Sequence, residues 1–259
     1  MNSRYEEILI LLYRFRFLTR QQLQELVGHK HNGRILQWLN DLTKDDFIIR
    51  YYNQKNIISP AVYSIGLKGR SYLKKNSKEL KINTIVLNRI WREQTLSVQF
   101  RFHCLTIVDI YLSLLKLTNS TGAQLRFFTK SDLHNVIHLP TPFPDIFFHI
   151  TEKSGFKRYY FLDVFNYFTN QKKFQKRIEQ YYDYYDDEIW QDNVDDSQFP
   201  IIIFVCSDKK SYGYLNWYLS TKILAENDTL DFYLTTKEII KTEGLTRNSL
   251  KKVIAKDDN

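Results

Sequence analysis

Asp145 and Asp163 are the residues whose type and placement most clearly suggest chemistry. They lie in the stretch 140–182, LPTPFPDIFFHITEKSGFKRYYFLDVFNYFTNQKKFQKRIEQYY. This stretch reads as turn, strand, tight turn, strand and then a basic and aromatic helix. Pro144-Asp145 opens the first strand, and Asp163 sits inside the apolar run of the second. Two carboxylates on neighbouring strands can point at one spot, which is a minimal geometry for holding Mg2+ or Mn2+ and activating water. The competing readings are a turn-forming Asp at a strand start and a strand Asp facing solvent. Lys172, Lys173, Lys176 and Arg177 crowd the start of the helix that follows. Cations there oppose the helix macrodipole. They therefore answer phosphate or the nearby carboxylates, or else form a solvated charge cluster.

A second group lies between residues 30 and 55. Lys30, Arg34, Gln37 and Lys44 share one side of an expected helix at 31–43, opposite Ile35, Leu39 and Leu42. Asp41 interrupts that side, and His31 and Asn32 stand at the helix start. Arg and Gln can make paired hydrogen bonds to base edges in a major groove, while Lys mostly meets phosphate. Arg50, Asn53, Gln54 and Lys55 belong to a strand and loop that can reach backbone or minor groove. The alternative is a surface that binds protein.

Charge placement supports the nucleic-acid reading. The chain of 259 residues carries a formal net charge of +8. Residues 1–83 hold 15 Lys and Arg against 7 Asp and Glu, whereas residues 84–259 hold 22 of each. The whole excess sits in the first third, as for a polyanion-binding module joined to a neutral body. With 43% hydrophobic residues the chain can bury a sizeable core. No run of about 18 apolar residues stands out, so no membrane span is expected. The N-terminal stretch reads as an amphipathic helix and not a signal peptide. Cys104 and Cys206 lack metal-ligand spacing and read as buried thiols of a cytoplasmic protein.

The elements that must position these residues follow from periodicity. Helices are expected at 3–17, 20–27 (opened by Thr19 and closed by Gly28) and 31–43. Strands at 47–52 and 61–65 flank a polar loop, and a helix at 66–75 follows, with Gly69 allowing close packing. This is the order of a winged helix-turn-helix, a DNA-binding domain spanning 1–80. A lysine-rich boundary at 76–83 precedes a long helical stretch at 84–118, whose apolar face includes a core histidine, His103. Strands are expected at 123–128, 135–139, in the acid-bearing pair, at 200–206 and at 231–234. Helices are expected at 171–189, 211–227 and 235–244, with a frayed tail. The result is a mixed sheet flanked by helices over 84–259.

Three motifs together resemble a known family. Tyr63-Ser64-Ile65-Gly66-Leu67-Lys68-Gly69 closes the wing, and His103-Cys104-Leu105-Thr106-Ile107-Val108-Asp109 lies on the long helix. Pro144-Asp145, an acid-bearing strand and a lysine-rich helix ending in tyrosines complete the pattern over roughly residues 5–235. The chain resembles the replication-relaxation proteins of plasmids and other mobile elements. That resemblance implies an α/β (α+β) chain, with a winged helix joined to a restriction-endonuclease-like domain of the PD-(D/E)xK type. Asp145 would match the first metal carboxylate and Asp163 the second acid. The lysine expected two residues later is Phe165 here, which cannot stabilise a hydroxide or a phosphate charge. Lys172 or Lys176 would have to supply a migrated amine. The resulting expectation is a double-stranded-DNA-binding accessory protein of replication or transfer with a degenerate nuclease platform. It needs no cofactor to bind DNA, acts as a homodimer, and works beside replication or conjugation proteins, away from membranes. The alternatives are an endonuclease using Mg2+ or Mn2+ and a transcriptional regulator.

Overall fold

The computed structural model describes residues 2–52, 60–166, 170–194 and 198–256. The chain forms two compact units, Met1–Val108 and Asp109–Asn259.

In the first unit, α1 (Ser3–Phe15) buries Ile8, Leu9 and Leu12, the apolar positions at helical spacing. Thr19 then starts α2 (Arg20–Val27) with a capping box: its hydroxyl accepts from the Gln22 amide, and Gln22 returns its side-chain oxygen to the Thr19 amide. Leu18–Thr19 is also a short strand, β1. Gly28, at φ 67°, ends α2 in the left-handed conformation that glycine adopts without a Cβ clash. The chain then enters α3 (Asn32–Lys44), which buries Ile35, Leu39 and Leu42 as the periodicity predicts. Strands β2 (Ile48–Tyr51) and β3 (Val62–Ile65) join β1 in an antiparallel sheet of order β1-β3-β2. Gly69 of α4 (Leu67–Lys75) faces the Phe47 carbonyl oxygen so closely that a Cβ there would collide with it.

The helical stretch expected at 84–118 is two helices, α5 (Thr84–Glu93) and α6 (Val98–Thr121). Polar side chains account for the break: the Gln94 amide donates to the Ile65 carbonyl, and the Ser97 hydroxyl accepts from the Phe100 amide. Within the first unit, Cys104 and Leu105 of α6 pack with Phe17. His103 is buried and stacks on Phe100. Although no membrane span was expected from composition, α6 is long and apolar enough to cross a membrane by length and hydropathy. Its most apolar stretch has a mean hydropathy of 1.3 and is 44% buried within the protein.

The second unit is a six-stranded mixed sheet with helices around it. Strands β4 (Gln124–Thr129), β5 (Ile146–Thr151) and β6 (Lys157–Val164) are antiparallel neighbours. Between β6 and the next strand come α7 (Gln171–Asp186) and the short α8 (Ile189–Asn193). Strands β7 (Ile201–Cys206) and β8 (Phe232–Thr236) then extend the sheet in parallel, with α9 (Lys209–Tyr218) and a π-helical turn between them. After α10 (Lys237–Glu243), β9 (Lys251–Lys252) pairs antiparallel with β8. Lys251 and Lys252 of the tail expected to fray are therefore part of the sheet. No strand forms at 135–139. A 3-10 turn at Leu133–Asn135 takes its place, nucleated where Asp132 accepts from the Thr129 amide and hydroxyl. One sheet face carries Phe161, Phe204 and Phe232 into a core with Phe174, Ile178 and Tyr181 of α7.

Candidate functional site

Two places hold the residues singled out by chemistry. On α3 the burial pattern divides the helix cleanly. Lys30, His31, Asn32, Arg34, Gln37 and Lys44 are exposed, while the opposite stripe is buried. Arg34 donates to the Gln37 side-chain oxygen at 3.3 Å, which aligns a guanidinium and an amide side by side. The His29 ring packs edge-on against Trp38 at 5.0 Å and accepts from the His31 amide, so the turn before α3 is fixed by side chains of its own. Asp41 is turned to the Tyr5 hydroxyl at 3.0 Å, which draws it toward α1. Arg50 on β2 is exposed and lies over the Tyr52 ring. Asn53, Gln54 and Lys55 lie outside the described residues.

The second place is the acid pair. Register does what spacing suggests: Ile146 of β5 pairs with Leu162 of β6, so Asp145 and Asp163 become neighbours. The Asp145 amide donates to Asp163 Oδ1 at 3.3 Å, and the Val164 amide donates to Asp145 Oδ2 at 2.8 Å. Both carboxylates are buried and each meets a cation. Lys130, directly after β4, reaches Asp145 Oδ1 at 2.6 Å. Arg177 of α7 grips Asp163 with Nε at 2.7 Å and a second nitrogen at 3.3 Å. Arg177 also donates to the Pro142 carbonyl at 2.7 Å, tying the strand entry to the helix. Tyr181, one turn on, accepts from Arg177 and donates to Asp163 Oδ2 at 2.7 Å.

The electrostatics agree with a closed network. Burial opposes the charge on Arg177, but Asp163 and Tyr181 outweigh it, and the guanidinium is held more firmly protonated than usual. Burial and Asp163 raise the Tyr181 hydroxyl well above its ordinary value, so it remains a donor. Lys237 opens α10 and donates to Asn166 Oδ1 at 3.2 Å. Burial lowers its pKa, and the charge on Asp145 partly offsets that.

The helix lysines lie elsewhere. Lys172 and Lys176 are exposed on α7, and Arg177 is the residue of that cluster which reaches Asp163. Sequence reasoning singled out neither Lys130, Tyr181 nor Lys237. The available signal was the four-residue spacing of Arg177 and Tyr181, which puts both on the buried side with Phe174 and Ile178. A hard divalent cation such as Mg2+ is held by one or two carboxylates together with water, and both carboxylates here are engaged by cations, Asp145 by Lys130 and Asp163 by Arg177. Among the described residues no group of three or more His, Cys, Asp or Glu is placed to hold a metal.

A family model described as replication-relaxation matches residues 9–196. The chain belongs to the replication-relaxation family. No curated protein matches it. The matched span of this replication-relaxation protein takes in α3, the acid pair and Arg177, and it ends before β7. Phe165, two residues after Asp163, is buried between Phe174 at 4.4 Å and Phe204 at 5.2 Å. An apolar contact thus fills this position.

Proposed function

We propose that this replication-relaxation protein is a sequence-directed double-stranded-DNA-binding accessory protein of plasmid or mobile-element replication or transfer. In this reading residues 1–80 form a winged helix-turn-helix, and residues 84–259 form a restriction-endonuclease-like platform that does no hydrolysis. The observation that carries it is α3: an exposed side bearing Arg34, Gln37 and Lys44, with Lys30 in the turn before it, behind a buried stripe. A helix of that kind, fixed by the turn before it and by a three-stranded sheet, suits insertion into a major groove. The N-terminal residues His31 and Asn32 would touch base edges, and Lys44 and Arg50 would meet phosphate. Two copies in the cytoplasm would read paired half-sites.

The platform reading is supported by charge compensation. Lys130 and Arg177 occupy the positions around the carboxylates from which a cation would otherwise draw its ligands. A retained ion-pair network of this kind holds β5, β6 and α7 together. Fluorescence anisotropy on element DNA tests the first half. Arg34→Ala should weaken binding about 5- to 150-fold, by loss of about 1–3 kcal/mol, while Asp145→Ala stays close to wild type. Undiminished binding by Arg34→Ala would remove α3 from the interface. A supercoiled-plasmid assay with Mn2+ tests the second half, and intact plasmid is expected. Cleavage that disappears in Asp145→Ala/Asp163→Asn would make the protein a nuclease.

A further inference from the structure

The sheet face opposite α7 carries a cavity of about 480 Å3 that lies wholly within the second unit and has no part in the DNA-binding reading. Its floor is built by strand alternation: Phe148, Tyr160 and Ile203 project there from three adjacent strands. Phe148 and Tyr160 stack face to face at 4.5 Å with ring planes 8° apart, which fixes the floor, and Tyr160 is the partly exposed ring of the pair. Leu114 and Leu117 of α6 form one wall, and Leu245 and Leu250, which follow α10, form the other. A volume in the range of roughly 300–1,000 Å3, mostly apolar with a few polar groups, is that of a site for a drug-sized molecule.

The polar groups are of one predominant sign. Lys153, Arg158 and Arg247 border the cavity against the single carboxylate of Glu152. The Arg158 guanidinium lies over the exposed Phe156 ring. Burial raises the pKa of the Tyr160 hydroxyl, leaving a neutral donor at the same place. We propose that this cavity binds a small amphipathic organic anion, its aliphatic or aromatic body against Tyr160, Leu117 and Leu250 and its carboxylate or sulfonate against Arg158 and Arg247. A neutral ligand would fill the floor without adding charge beside Arg158 and Arg247, so the anionic head is the part that selects.

The test uses the full chain and the fluorophore 1-anilinonaphthalene-8-sulfonate, with no vesicles present. A saturable one-site enhancement is expected, displaced by monomeric decanoate at least tenfold more effectively than by decanol. Arg158→Gln/Arg247→Gln should weaken the fluorophore at least tenfold while leaving the thermal unfolding curve in place. Leu117→Trp, which fills the wall side, should do the same by steric exclusion. The proposal is overturned by a non-saturable or absent enhancement, by equal displacement with decanol, or by unchanged affinity in the folded double variant.

Discussion

The residue that organises the second unit is Arg177. Its guanidinium is buried, bound twice by Asp163, and linked to the Pro142 carbonyl and the Tyr181 hydroxyl. Removing one partner of such a pair leaves an uncompensated buried charge, which costs about 3–5 kcal/mol. Arg177→Met should lower the unfolding free energy by about that much in urea titrations, while Arg177→Met/Asp163→Leu should recover part of the loss. A single variant as stable as wild type would mean that Asp163 finds water instead. Asp145 and Asp163 were legible because strand alternation and a short turn bring them together. The choice among the α7 cations was not, since it depends on helix phase. Arg177 shares the side of Phe174, Ile178 and Tyr181, and Lys172 and Lys176 do not. Lys130 was illegible because it arrives through the pairing of β4 with β5, a contact that local periodicity does not encode.

At the scale of elements, helix starts are set by local chemistry; Thr19 reads as a cap, whereas the helix that Asp208 opens is expected from sequence to begin at 211. Thr19, Asn170 and Asp208 each accept from an amide in the first turn of the helix they open. Asp208 shows what this does with pH. The Ser211 amide at 2.7 Å and the Ser207 hydroxyl at 3.0 Å hold its pKa below the ordinary carboxylate value. A depressed folded-state pKa means that the unfolded chain binds more protons in that window, so stability rises with pH there. The contribution is complete above the unfolded value near 4 and fades as pH falls through the lowered folded value. Asp208→Asn keeps a capping side chain but removes the titration. The gap between wild type and variant in urea midpoints should be widest above about pH 4 and close toward pH 2. A gap constant with pH would assign the effect to cap geometry alone. Some elements that sequence misplaced are fixed by tertiary contacts, while the turn at Leu133–Asn135 is fixed locally by Asp132. The break between α5 and α6 rests on Gln94 meeting Ile65, and β9 exists because Leu234 and Tyr233 offer an edge.

For the whole molecule, charge distribution is the property with the longest reach. The excess of eight lies in residues 1–83, and residues 84–259 are balanced. If α3 and the strand after it make the phosphate contacts, Lys30, Lys44, Arg50 and their neighbours account for about four of them. Each neutralised phosphate adds about −0.9 to the slope of log binding constant against log salt, giving about −4. Lys44→Ala should then reduce the slope by about 1, with equal loss on every DNA sequence. Lys172→Ala/Lys176→Ala should leave both slope and affinity unchanged, although the helix bearing those lysines is the more densely basic one. The two variants therefore separate local charge density from the distribution over the whole chain. A slope that falls in the α7 variant and holds in Lys44→Ala would move the DNA to the second unit, and the basic start of α7 would then answer phosphate instead of water.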